Sequence, residues 1–319
     1  MIGYTLRRLG YGLVVMVLVT VFVFVVMRLV PGDAVSLQLQ ETGVSAEEAE
    51  ALRAQFGLDQ PVWVQLGTWL AGAVRGDLGT SFYGGEPVVD LFLARVPVTL
   101  QLGLLAIVVG ALLGVGFGIV AAVMRGTAVD AAVRVFAVAF LSVPNFVLGL
   151  LALTFLALWF AWSPPIVYAG PTEDFGGWLQ QIAIPVLALG TGGMAAITRM
   201  TRSSMLESLG SDYIRTVHAK GARQRTVVFK HALRNSTISV LTLLGLELAT
   251  VLGGTVILEQ MFAIPGTGQL IYQAVLDRDY PVVVACTIFY AGLFVVTIIV
   301  IDLLYALVDP RIRTGRALS

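Results

Sequence analysis

Six apolar stretches, each near the ~20 residues that carry a helix across a bilayer's hydrocarbon core, alternate with polar segments along this chain. They cover about residues 9–30, 99–124, 135–162, 178–198, 236–258 and 281–301. Pro144 predicts a kink in the third stretch, because proline has no N–H to give the helix ladder. The uncharged run 9–27 is longer than a signal-peptide core, and no small-residue cleavage site follows it, so it reads as a retained first span. The pattern predicts an all-α polytopic membrane protein with six transmembrane helices.

The polar segments differ in charge. Arg7 and Arg8 precede the first span, Arg125 and Arg134 lie between the second and third, and Arg311, Arg313 and Arg316 close the chain. The segment 199–235 holds Arg199, Arg202, Arg215, Lys220, Arg223, Arg225, Lys230 and Arg234 against only Glu207 and Asp212. On the other side, residues 31–95 carry nine acids against three arginines, 163–177 carry Glu173 and Asp174, and 259–280 are again acidic. Cations beside a span resist translocation, so both termini and the basic loop are expected in the cytoplasm. That loop is too long for a tight helix–helix turn and too short for a domain with its own core. It reads as a place where a cytosolic partner grips a membrane protein.

The segment 31–95 predicts two surface helices. Ser45-Ala46-Glu47-Glu48 is a capping box, Ala49, Leu52 and Phe56 then share a face, and Gly57 ends the helix. Pro61 opens a second amphipathic stretch with Trp63, Leu66 and Leu70 on one side. Interfacial anchoring explains both; a contact surface for an extracytoplasmic partner, using Trp63 and Trp69 as exposed aromatics, is the sharper reading. The chain thus divides into residues 1–30, the outer segment 31–95, and a five-helix core 96–319 containing the loop 199–235.

Composition narrows the chemistry. With 57% hydrophobic and 13% charged residues, the chain sits far from soluble domains. It has no G-x-x-x-x-G-K-[ST] phosphate loop, no H-E-x-x-H and no G-x-S-x-G. Neither an ATPase of the usual kind nor a zinc protease is expected, and no cofactor or metal site. Cys286, the single cysteine, reads as a packing thiol. Gly110, Gly114 and Gly118, spaced by four, predict close approach of another helix, while Gly190, Gly192 and Gly193 are expected to loosen the fourth span. Glu247 lies midway along the fifth span, where a carboxylate costs at least ~2.5 kcal/mol on insertion scales. It is either an interhelical hydrogen-bonding residue, a polar contact on a solute pathway, or a proton-coupling group.

The loop also supplies a family. Asp212-Tyr213-Ile214-Arg215-Thr216, Ala219-Lys220-Gly221 and His231-Ala232-Leu233-Arg234-Asn235 together resemble the cytoplasmic signature loop of permease subunits in bacterial binding-protein-dependent ABC importers, of the dipeptide, oligopeptide and nickel branch. The likeness extends to Val30-Pro31-Gly32-Asp33, Phe56-Gly57-Leu58-Asp59-Gln60-Pro61, Gly76-Asp77-Leu78-Gly79 and Arg95-Val96-Pro97-Val98-Thr99-Leu100. It continues through Phe262-Ala263-Ile264-Pro265-Gly266-Thr267-Gly268 to the terminal 302–311 run, and so covers essentially the whole chain.

The resemblance implies a type I ABC-importer permease fold. It implies that Asp212, Tyr213, Arg215, Thr216, Ala219, Lys220, Gly221, His231, Arg234 and Asn235 belong to a loop that docks on a cytoplasmic ATPase. Gly221 would permit the tight bend between helices. Partners implied are a second, homologous permease, two ATPase subunits, an extracytoplasmic solute-binding protein, a peptide substrate and the lipid bilayer; nucleic acid is not expected. Glu247 is the pore-lining candidate, and Trp63, Trp69, Phe262, Pro265 and Gly266 are candidates for contact with the binding protein. Two departures from the family pattern stand out. Ser239 replaces a common proline, predicting a softer break between loop and fifth span, and Arg215-Thr216-Val217 stands where the general glutamate-alanine-alanine motif begins. Nickel or another small solute is the alternative substrate. A secondary transporter, the rival class, is expected to show inverted repeats, which are not seen.

Overall fold

The computed structural model describes residues 2–29, 32–42 and 45–308. In chain order the helices are α1 (Ile2–Leu29), α2 (Ala34–Thr42), α3 (Ala46–Gln55), α4 (Val62–Val74), α5 (Val88–Val123), α6 (Ala128–Ser142) and α7 (Asn145–Phe160). They continue as α8 (Phe175–Leu209), α9 (Asp212–Ala219), the short turn α10 (Gln224–Thr226), a π-helical segment Val227–Ala232, α11 (Leu233–Met261), α12 (Thr267–Leu276) and α13 (Tyr280–Val308). Five of these helices are long and apolar enough to cross a membrane, and α6 with α7 makes a sixth if the bent pair counts as one span. Val30, Pro31, the side chain of Asp302 and the terminal 309–319 lie outside the described residues.

The third apolar stretch is broken rather than kinked. α6 and α7 meet at 100°. The residue before a proline is driven out of the helical region, and Val143 is extended (φ −106°, ψ 125°) while Pro144 (φ −57°) starts α7. The spans also overrun their expected ends. α5 begins at Val88 and carries Pro97 inside it, and α8 runs on to Leu209, so much of the expected loop is a continuation of that helix. No break separates the loop from the fifth span either. With Ser239 in place of proline, the chain is helical from Gln224 to Met261.

The chain forms two compact units, one of residues Met1–Thr99 with Ile264–Val296, the other centred on Leu100–Ala263. In the first, Val88, Leu270, Ala274, Val282, Val283, Ala285 and the fully buried Cys286 make one core. Phe56, Phe82 and Tyr280 make a second, with Phe56 stacked on Phe82 at 4.5 Å and Tyr280 edge-on to Phe82 at 6.0 Å. The capping box forms: Glu48 N donates to Ser45 Oγ (3.2 Å), and Ser45 N donates to Glu48 Oε2 (3.0 Å). Arg53 Nε donates to Asp33 Oδ2 at 2.9 Å and joins α3 to the start of α2. Partial burial pushes the Asp33 carboxyl up, but the hydrogen bonds from Arg53 and Ser36 outweigh it and hold it down to about 2. Asp279 accepts from Ser81 Oγ and, at 3.2 Å, from Phe82 N, tying the 79–83 loop to the start of α13.

In the second unit α8 is the most deeply buried helix. The helix runs unbroken through its glycines, which admit its neighbours. A Cβ on Gly110 of α5 would lie 2.7 Å from Gly190 O, and one on Gly190 would lie 2.8 Å from Ala106 O, so backbone meets backbone. Gly114 and Gly118 continue this seam against Met194 O (2.9 Å) and Thr198 O (3.0 Å). The spacing of four lays all three on one side of α5, where small residues allow contact that lipid alone would not drive. Gly192 leaves room for Asn145 of α7, and Gly193 leaves room for Glu247 of α11.

Candidate functional site

The basic loop folds as a helical ledge. After Gly210 and the extended Ser211 (ψ 150°), α9 turns one residue, Ile214, into the protein and leaves the rest at the surface or half-buried. The second strip of the ledge presents Val228 and Ala232 to Met205 and Ala122, with Ile119, Leu206, Leu209 and Leu233 around them. The ledge therefore sits on the ends of α5 and α8 through an apolar floor. Between the two strips, Gly221 takes φ +79° and its N–H donates to His218 O at 2.9 Å, while Ala222 N donates to Val217 O at 3.3 Å. That left-handed residue closes α9 and reverses the chain. A side chain there would meet nothing within 4 Å, so the demand for glycine is conformational, not steric.

The candidate residues fall on this ledge. Asp212, Tyr213, Arg215, Thr216, Ala219, Lys220 and Gly221 are exposed, as are Arg234 and Asn235 in the first turn of α11. Tyr213 crosses to the second strip, its hydroxyl hydrogen-bonded to His231 Nδ1 with the rings edge-on at 5.5 Å. Arg215 Nη1 pairs with Asp212 Oδ1 at 2.9 Å, but both side chains are solvated and the pair contributes little to stability. Thr216 Oγ1 donates back to Asp212 O within α9 at 3.1 Å.

One member of the cationic group is spent internally. Arg202 donates from Nε (2.7 Å) and Nη2 (2.9 Å) to the buried carboxylate of Asp130 at the start of α6. Gly126 N also donates to it (3.1 Å), and Arg134 lies 3.3 Å away. The Arg202 bonds first, then the Gly126 amide, hold the Asp130 carboxyl down to about 2. Sequence reasoning missed this pair. Thr127-Ala128-Val129-Asp130 carries an N-cap signal that finds the start of α6, yet nothing local points to Arg202.

Glu247 sits half-buried at the middle of α11. A Cβ on Gly193 would come 3.1 Å from its Oε2, and Ala106, Ile107, Gly110, Gly190 and Val251 line the small gap around it. Among the described residues, nothing hydrogen-bonds its carboxylate. Of the proposed binding-protein contacts, Trp63 is 78% exposed. Trp69 is half-buried and donates from Nε1 to Leu78 O (3.2 Å), so it is not the exposed aromatic expected. Phe262 is buried against Gly149, Gly266 is buried ahead of α12, and Pro265 is half-buried.

Residues 114–314 match the family described as the binding-protein-dependent transport system inner membrane component, and residues 1–103 match its N-terminal companion. The chain belongs to this permease family. A Brucella abortus protein provisionally named as a peptide transport system permease is 39% identical over 98% of this chain and 99% of its own length. The oligopeptide transport system permease protein AppB of Bacillus subtilis is 36% identical over 98% of this chain and all of its own. The inward-facing MetNI methionine ABC transporter shares the fold at a TM-score of 0.57 and 21% identity, over 70% of the permease and 99% of that chain. The permease is thus a multi-pass membrane subunit of an ABC importer, a class that works with ATPase and substrate-binding partners.

Proposed function

We propose that this permease forms half of the translocation path of an ATP-driven peptide importer of the bacterial plasma membrane. Both termini and the basic ledge face the cytoplasm, and a second homologous permease, two ATPase subunits and an extracytoplasmic binding protein complete the assembly. The observation that carries the reading is the likeness to permeases named for peptides and oligopeptides over 98% of this chain and at least 99% of theirs.

The geometry gives this reading a mechanism. α9 presents an exposed polar and aromatic face, buries Ile214 and packs on the π-helical strip, whose Val228 and Ala232 seat on α5 and α8. An ATPase groove that takes α9 therefore pushes on two spans at once, through packed apolar side chains that resist compression. ATP-driven approach of the two ATPase subunits would rock these spans as rigid bodies and alternate the access of the path. ATP hydrolysis belongs to the partners. Glu247 would offer a passing peptide a weak, water-screened contact for its ammonium or backbone amides.

The test is reconstitution. The permease co-expressed with its neighbouring transport genes should bring ATPase subunits through purification and should import labelled di- and tripeptides into liposomes. Uptake of nickel but not of peptide would overturn the substrate, and purification of an active carrier without any ATPase would overturn the class.

A further inference from the structure

The unit built on α1–α4 and α12–α13 contains a cavity of about 400 Å³, within the size range of ligand and anchor pockets. Phe24, Trp69, Phe82 and Tyr280 give it aromatic walls, and Arg28 gives it a guanidinium. That guanidinium is poorly matched by its surroundings. Its Cζ lies 4.1 Å from the Tyr280 ring centre and 5.4 Å from that of Phe24. Nη2 donates to Gln65 Oε1, while Nε is buried without an acceptor. The acid whose field reaches it, Asp33, is already held by Arg53 and Ser36. The acid in the cavity wall, Asp77, accepts from Gly79 N at 2.9 Å. No carboxylate pairs with Arg28 among the described residues. Its position in the last turn of α1 suits the helix dipole, but aromatic faces and a dipole supply no directed acceptors. Burying one donor of a half-buried cation without an acceptor is costly, and a carboxylate is the group whose geometry fits a guanidinium.

We propose that this cavity is a socket for an acidic side chain of the extracytoplasmic binding protein, its carboxylate on Arg28 and its methylenes against Trp69 and Phe82. This rests on the importer reading, which puts the cavity on the outer face. The protein partner, rather than free peptide, is favoured by the walls: α3, α4 and the 77–82 loop are surface elements outside the spans, and the exposed Trp63 stands on the same α4. A single buried anchor beside an exposed aromatic is the usual anatomy of an energetic hot spot.

Two measurements test it. Saturation-transfer NMR on the purified permease in nanodiscs should show phenylacetate binding, with phenylacetamide, and phenylacetate on Arg28→Gln, weaker by on the order of 10-fold. Equal binding of acid and amide, or no effect of Arg28→Gln, overturns the carboxylate socket. In the assembled transporter, the binding-protein concentration giving half-maximal ATPase stimulation should rise by on the order of 10-fold for Arg28→Gln, with maximal rate retained. Thr68→Trp, which fills the cavity from its rim and leaves the bonds of Arg28 in place, should do the same and guards against misfolding of the first variant. If neither variant shifts that concentration, the occupant is not the binding protein and the proposal fails. If the binding protein never stimulates the wild-type transporter, the importer reading fails and the partner with it, while the phenylacetate result still decides the socket's chemistry.

Discussion

Asp130 and Arg202, 72 positions apart, form a two-point ion pair with bonds of 2.7 and 2.9 Å, and it clamps the first turn of α6 to the far end of α8. The carboxylate is buried and the guanidinium largely so, which makes the pair a fixed joint rather than a solvated contact. Removing either partner strands the other, and that asymmetry makes such joints sensitive to truncation.

Arg202→Ala should therefore lower the thermal unfolding temperature of the detergent-solubilised permease clearly more than Arg134→Ala, whose guanidinium is more solvated and farther away. Equal effects of the two substitutions would refute the joint.

The same pair sets an acid limit. A carboxyl whose folded value is depressed from 3.8 to about 2 contributes stability above pH ~3.8, and that contribution disappears as pH falls through ~2. Wild-type permease should lose thermal stability over that window, and Asp130→Asn should show a shallower loss from a lower starting point. Asp33, also held at about 2, adds to the wild-type slope, so the Asp33→Asn variant serves as the reference.

Gly221→Val should uncouple peptide uptake from ATP hydrolysis while leaving membrane insertion intact. A β-branched residue at φ +79° costs roughly 1–2 kcal/mol and displaces the end of α9. Gly221→Asn, which tolerates that region, should retain most uptake. Normal coupling in the valine variant would remove α9 from the docking role.

The glycine seam predicts a contrast within one helix. Gly110→Ala puts a methyl 2.7 Å from Gly190 O and should destabilise the permease by about 1–3 kcal/mol, whereas Gly116→Ala meets nothing within 4 Å and should be near neutral. Chemical denaturation in mixed micelles reads both, and equal stability would mean that α5 and α8 are not in backbone contact.

For Glu247, substitution by Gln should lower peptide uptake in part, and substitution by Lys should lower it far more, with the fold retained in both. Near-complete loss in the Gln variant with ATPase activity preserved would point instead to proton coupling, and undisturbed uptake in the Lys variant would end any role on the pathway.

What the sequence reveals and what it hides follow from the range of the interactions. Apolar runs, the Ser45–Glu48 box and the demand for glycine at 221 are local, and each is readable from a few neighbouring residues. The helices extend past the apolar runs because charge marks where lipid stops, not where hydrogen bonding stops; α8 carries Arg199 and Arg202 well beyond its apolar part. At Pro144 the proline was visible, yet the size of the bend depends on how α6 and α7 each pack on α8, which no window of sequence records. The Asp130–Arg202 joint and the unmatched Arg28 are products of tertiary packing. In the sequence they are merely one more acid and two more arginines.

The absence of a proline at Ser239 has a mechanical meaning. From Gln224 to Met261 the chain is one unbroken helical rod, with its wider π-helical turns at the ledge and Glu247 partway along it. At 1.5 Å per residue, Lys230 and Glu247 are roughly 26 Å apart on that shaft, so a tilt of about 10° at the ledge swings the carboxylate sideways by roughly 4 Å. That is more than a hydrogen bond's reach. If the ATPase docks at the ledge as proposed, the strip that seats α9 and the Glu247 carboxylate are two points on one helical shaft, unbroken from Gln224 to Met261, with no gap between them at which a stroke would be lost.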